Sequence, residues 1–476
     1  MAFQDGSGTG GIVGGTGSST SGCAVASDVD APSLSPDCAV TARQIDPTFT
    51  CAGANCAITK ALDLTCESLP QGLWLSPTTD GAVVMTRASY LTRLMTVEAT
   101  DIRVQDVPAL ANPSLDASEA SAYLDNSVLA NSASETKWLF VGDSQDITLL
   151  RGTDSGWTRT ILAAQGGSSI LGPVRVKDAC TVDENLGYLI YSQPDGLPRT
   201  THLVSWDGSC WVDQSIGKAE SDSIVVKADA ERRPWVVWAD NRNVLTLRSP
   251  DGDLHNLLAS DGGVALDWEL TGNLILRLLP GGLDGTAPIP AVAARCADGI
   301  RVFSNTSLGD SGWPSILLPE SAPGAAIAGD CPPDGASSAA HTCVNSTSCT
   351  QQLSGVSLGF GLARTQSGAT FVAWVEYSAQ GSYSLTYYKQ GGEMPMEYCF
   401  KSEISGTGTA DLVLAHLTAS GPNMSRFHFD LGGAVASLSR TVVMAARGDT
   451  LLVGAYLGGD MIRTLTYLEI DSMQLL

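Results

Sequence analysis

The chain is short of charge. Asp, Glu, Lys and Arg together make up 16% of its 476 residues, against roughly a quarter in ordinary globular proteins. What charge there is leans one way, and the net value is −23. A surface of that sign repels phosphate backbones and anionic headgroups, so neither nucleic acid nor an anionic membrane is an expected partner. No apolar run reaches the roughly 18 residues that a spanning helix needs, so no transmembrane segment is expected. Helix-forming stretches rich in Glu and Lys are missing. The five histidines, His202, His255, His341, His416 and His428, have no second histidine two to four positions on, and the cysteines form no CxxC knuckles. No metal site is therefore expected. The Gly-rich stretch at 6–15 is not followed by Lys-Ser or Lys-Thr, so it is no phosphate loop, and no cofactor is expected. No catalytic residue is assigned.

What the chain has is glycine and cysteine. Fifty glycines imply many tight turns. The twelve cysteines are Cys23, Cys38, Cys51, Cys56, Cys66, Cys180, Cys210, Cys296, Cys331, Cys343, Cys349 and Cys399. An even, scattered set points to disulfides and an oxidising compartment. All twelve are disulfide candidates, and their pairing stays open.

Three segments follow from composition. Residues 1–22 read as a flexible Gly/Ser-rich tether. Residues 23–72 carry five of the cysteines and little apolar periodicity, as a small disulfide-held segment would. Residues 73–476 carry a repeating theme. The tether resembles the mature start of a bacterial surface lipoprotein, which implies a removed signal peptide and a lipid anchor at the native N-terminus. Here the first residue is Met1, where that family has an acylated Cys. Arg outnumbers Lys 20 to 7, a usage similar to that of GC-rich bacteria. In such a host the sequons at Asn305, Asn345 and Asn423 would be silent.

Each repeat opens on a short apolar run rich in aromatic and β-branched residues, which favours buried strands. Examples are Gly81-Ala-Val-Val-Met-Thr, Lys137-Trp-Leu-Phe-Val-Gly, Pro234-Trp-Val-Val-Trp-Ala and Asn273-Leu-Ile-Leu-Arg-Leu. Alternating runs such as Asn243-Val-Leu-Thr-Leu-Arg follow, and then Asp-Gly-type turns. The runs recur at about 40 to 55 residues, which is the signature of propeller blades. The expected fold is an all-β, seven-bladed β-propeller, with six or eight blades and a pair of β-sandwiches as alternatives. The apolar runs are expected to be the innermost strands. The period breaks between Leu274 and Phe371, a gap that holds a strand pair near Ala291–Phe303 and then residues 319–353, read as a loop insertion pinned by its own disulfide. It breaks again at 398–440, read as a separate blade or an elaborated outer edge.

The turns Asp154-Ser-Gly-Trp157, Asp207-Gly-Ser-Cys-Trp211 and Asp310-Ser-Gly-Trp313 resemble degenerate Asp-box turns of sialidase-like propellers. That resemblance implies structural roles: the Asp holds turn N–H groups and the Trp packs between blades. It carries no catalytic residue over. Glu269 and Glu376 follow tryptophans near strand ends and are expected to cap strands or meet arginines. Arg447-Gly-Asp449 matches a cell-attachment tripeptide but joins two apolar runs, as an ordinary strand turn would.

The functional expectation is a secreted or surface-anchored binding or adhesion module, taking a protein or carbohydrate ligand. The 319–353 insertion and exposed aromatics near the Asp-Gly turns are its expected contact surface. The alternatives are an extracellular carbohydrate-active enzyme with carboxylates at the propeller channel, and a subunit of a surface assembly.

Overall fold

The computed structural model describes residues 19–23, 26–29, 33–35, 38–43, 57–65, 70–88, 91–107, 127–130, 136–142, 146–153, 156–163, 174–193, 199–219, 223–240, 244–258, 264–266, 275–283, 285, 288–308, 312–320, 324–328, 347–357, 359–389, 398–430, 442–457 and 464–476. Their strands form seven antiparallel sheets, and the protein is an all-β, seven-bladed propeller. The only helical turn among these residues is a 3₁₀ turn at Ser472–Gln474.

The innermost strands of blades one to seven are Pro70–Pro77, Ser127–Leu129, Arg175–Thr181, Ile224–Ala228, Leu276–Leu279, Gly361–Arg364 and Val442–Arg447. Each touches the next, and the seventh returns to the first. Seven apolar cores fill the seven gaps between blades. Strand geometry explains how. Successive side chains point to opposite faces, so Ala82 and Val84 enter the core shared with blade seven, while Val83 and Met85 enter the core shared with blade two. A strand covered on both faces reads as one continuous apolar run.

That corrects the expected strand order. Most of the apolar runs are the second strands of their blades: Ala82–Ala88, Lys137–Gly142, Gly187–Ser192, Pro234–Asp240 and Thr450–Tyr456. The second strand has a hydrogen-bonded neighbour on each edge and a core on each face. The innermost strand has one open edge at the propeller axis, and open edges carry polar residues. Of the runs singled out, the Asn273 run is the one that supplies an innermost strand, Leu276–Leu279.

The breaks in period resolve likewise. Ala291–Cys296 and Gly299–Phe303 are the second and third strands of blade five. Tyr398–Thr418 and Gly421–Asp430 are the outer strands of blade six, not a separate blade. Within 319–353, Gly324–Ala328 and Thr347–Val356 are strands, and the second pairs with the far half of the long strand Thr370–Lys389. Residues 329–346, with Cys331 and Cys343, lie outside the described set.

The N-terminal segment is strung around the rim. Ser19–Cys23, Ser27–Val29, Ser33–Leu34 and Ala39–Ala42 each add an outermost strand, to blades three, two, one and seven in turn. Ile58–Thr65 then pairs with Leu465–Asp471, so both ends of the chain close blade seven. Two devices fix this belt. The disulfide Cys23–Cys210 joins it to blade three. The Arg43 guanidinium sits 3.0 Å from Asp63 Oδ1, also donates to Thr466 Oγ1 and Leu457 O, and covers the Phe429 ring. Cys38 is also disulfide-bonded. Cys180 and Cys296, counted among the disulfide candidates, are instead buried thiols. Each packs in an inter-blade core as a small apolar group, and burial pushes the Cys180 thiol up to about 12. Cys51, Cys56 and Cys66 lie outside the described residues, as do the side chains of Cys349 and Cys399.

Candidate functional site

The open edges of the innermost strands surround an axial cavity of about 400 Å³. All seven blades contribute to its lining. Most of the lining is aliphatic, with Leu129, Leu276, Leu362 and Met444 among its members, and four charged residues interrupt it: Lys177, Asp178, Lys227 and Arg277. Among the described residues of the lining, three cations stand with one carboxylate.

Local structure accounts for Lys177, Asp178 and Arg277. The pairing of Arg175–Thr181 with its neighbour shifts register between Val176 and Asp178, leaving Lys177 as a bulge residue. A bulge breaks strict alternation and re-aims side chains, so Lys177 and Asp178 both line the cavity although adjacent in sequence. Asp178 Oδ2 accepts a hydrogen bond from Val226 N at 2.8 Å. The carboxylate thereby satisfies a backbone N–H on the innermost strand of the next blade, where a buried donor without a partner would cost about 1–3 kcal/mol. Burial pushes the Asp178 carboxyl above its ordinary value, against the pull of Lys227, two backbone N–H groups and Arg277. Arg277 donates to Leu276 O at 2.9 Å and to Val442 O at 3.4 Å, and lies over the Phe360 ring. It thus reaches from blade five to blade seven across blade six. Burial lowers its pKa, and Asp178 opposes that shift.

The residues singled out by sequence lie elsewhere. Asp207 Oδ1 accepts from Ser209 N at 3.0 Å and Cys210 N at 2.6 Å, which holds that carboxyl below its usual range. Gly208 beside it has φ +94°, a conformation that favours glycine. Trp211, Trp157 and Trp313 are buried in three different inter-blade cores. Asp154, Asp310 and Glu269 lie outside the described residues. Glu376 meets an arginine: Arg426 pairs with it, and Trp374 Nε1 donates to it at 3.1 Å. The tripeptide at 447–449 is a strand turn whose two charged groups have partners in the fold. Arg447 donates to Glu469 Oε2 at 2.8 Å, Asp449 Oδ1 accepts from Ser367 N at 2.8 Å, and the exposed Gly448 has φ +59°.

His202 is buried, with Nδ1 2.9 Å from Asp213 Oδ1, and His428 Nδ1 lies 2.7 Å from Asp411 Oδ1. His341 is outside the described set. No three His, Cys, Asp or Glu side chains among the described residues are grouped to hold a metal ion. No helix among them is long and apolar enough to cross a membrane.

Sequence reasoning passed over two signals. Gly355-Val-Ser-Leu-Gly359 spells G-x-S-x-G, the spacing of a hydrolase nucleophile turn. Ser357 is fully buried, however. Its hydroxyl donates to Gly359 O at 2.8 Å and accepts from Val375 N at 3.0 Å, so it ties blade six together. The other missed signal is the axial set itself. Its trace in sequence is a cation inside three otherwise ordinary strands: Arg175-Val-Lys-Asp, Ile224-Val-Val-Lys and Leu276-Arg-Leu.

No protein-family model and no curated protein matches the chain. Among solved structures, the crystal structure of xylan beta-1,4-xylosidase from Bacillus halodurans C-125 is similar at 9% identity and a TM-score of 0.25, covering 73% of this chain and 94% of that one. A likeness of that size carries no argument about activity.

Proposed function

We propose that this propeller is a binding module of the cell exterior, and that its ligand is received in the axial cavity. One observation carries the reading. Three cations and a carboxylate, drawn from the innermost strands of blades three, four and five, converge on a 400 Å³ cavity that is otherwise mainly aliphatic. A concave, largely apolar site with a few convergent polar groups is the usual form of a ligand pocket. The Cys23–Cys210 disulfide supports the exterior location, since such bonds persist in oxidising compartments. A lipid anchor at the native N-terminus would hold the disc at the surface, and the inserted strands of blade six would extend the contact.

Methyl NMR offers a direct test, because Met444 lines the cavity and the chain holds only nine methionines. Titration with culture-medium and cell-surface extracts is expected to shift the Met444 methyl signal. Shifts confined to rim methionines such as Met424 and Met473 would overturn the axial assignment.

A further inference from the structure

We infer that Gly11-Ile-Val-Gly-Gly15 adds a fifth strand to the open outer edge of blade four, extending the N-terminal belt by one blade. The docking site is the free edge of Leu254–Asn256, and its occupant is this chain's own segment before Ser19.

The belt advances by a regular step. Ser19–Cys23, Ser27–Val29, Ser33–Leu34 and Ala39–Ala42 each run antiparallel to the fourth strand of a blade. Joints of three or four residues separate them, and each step along the chain moves one blade back around the ring, from three to two to one to seven. One step before Ser19 is therefore blade four. A joint of the same length ends that strand at residue 14 or 15. The sequence marks the place: from Gly6 to Ser18 every residue is Gly, Ser or Thr except Ile12 and Val13. The later belt strands carry Val29, Leu34 and Val40, and both valines pack against inter-blade cores.

Blade four is built to take such a strand. Blades one, two, three and seven have five strands, the fifth from the belt, whereas blade four ends at Leu254–Asn256. Ser249 N donates to Asp253 O at 2.9 Å, and Leu257 N donates to Leu245 O at 2.8 Å. Antiparallel pairing alternates, so these bonds turn the N–H and C=O groups of Leu254 and Asn256 outward. Among the described residues no strand pairs with them, and Leu254 is 46% exposed. Such an edge is a template for strand addition. The short joint to blade three holds residues 11–15 beside it at high effective concentration, which favours them over a strand from another molecule. The N-terminus then leaves the disc at the rim of blade four, away from the axial cavity.

Hydrogen exchange of the full chain, followed by mass spectrometry, tests this. The amides of Leu254 and Asn256 are expected to exchange roughly tenfold more slowly in the full chain than in a variant that begins at Ser18. In the full-length chain, Ile12→Pro combined with Val13→Pro removes the N–H groups on both phases of the added strand. That variant should exchange at Leu254 and Asn256 as fast as the shortened chain. Ser315–Leu317, the open outer edge of blade five, should exchange alike in all three proteins. Circular dichroism confirms that each is folded, and the proline variant keeps the test valid if the shortened chain is not. Equal exchange at Leu254 and Asn256 in the full chain and the folded variants would overturn the assignment. So would protection that disappears on dilution, which would give the edge to a strand from a second copy.

Discussion

The body of the blades and the axial cavity of this propeller use charge in different ways. Away from the cavity, acids and bases meet in pairs within and between blades. Arg295 contacts both Glu320 oxygens, at 2.6 and 2.5 Å, and donates to Ser357 O. Arg447 meets Glu469, which also accepts from Tyr467 Oη at 3.1 Å. Arg43 meets Asp63 and Thr466. Trp374 and Arg426 share Glu376. Among the described residues at the axis, cations outnumber the carboxylate and the wall behind them is aliphatic. The balanced sets join strands and blades, and substituting them should change stability. The axial set borders a cavity, and substituting it should change binding.

The largest effect is expected at Arg295–Glu320, where both side chains are at most a tenth exposed. Glu320→Ala leaves a buried guanidinium without its counter-charge and should cost about 3–5 kcal/mol in urea unfolding. A volume-matched apolar replacement of both residues should recover most of that loss. If Glu320→Ala proves neutral, these ion pairs do not hold the blades together.

Next comes the belt. The Cys23–Cys210 bond links residues 187 apart. Replacing both by Ser should destabilise the protein by about 2–4 kcal/mol, through greater freedom of the unfolded chain. Thermal melts with and without reductant check this: reductant should lower the wild-type midpoint further than the variant's. Binding at the axis should be unchanged, since the belt lies at the opposite edge of the blades.

A smaller, local effect is expected at Gly361. A Cβ there would lie 2.4 Å from Met444 Cβ and 2.8 Å from Met444 N, where the innermost strands of blades six and seven approach. Gly361→Ala must push those strands apart, at a cost of roughly 1–3 kcal/mol. Because Met444 lines the cavity, binding should weaken together with stability. A loss of stability alone would separate the two.

The smallest effect on stability is expected from Asp178. Its carboxyl is raised in the folded protein, so the native state holds a proton that the unfolded chain has released. The resulting contribution favours folding at low pH. It is lost as pH rises from the ordinary carboxyl value through the raised one. Asp178→Asn should flatten that part of the stability profile. The variant should lose this pH dependence, and a dependence that persists would assign it to another group.

The sequence by itself determined the class of fold and the rhythm of the chain. A strand between two apolar cores must be apolar at every position, as in Lys137-Trp-Leu-Phe-Val-Gly, and such runs recur at blade spacing. Turn glycines such as Gly208 and Gly252, both at positive φ, were legible for the same local reason. The turn Arg447-Gly-Asp449 was half legible: its flanking strands could be read, but Glu469 and Ser367 as partners could not. Only the tertiary structure decided which strand of each blade lies at the axis, that the N-terminal segment girdles four blades, and that Cys23 bonds Cys210. It alone brought Lys177, Asp178, Lys227 and Arg277 together. Those four residues span three blades and 100 positions of chain. They sit in three separate innermost strands, and their proximity exists only because seven sheets close into a ring.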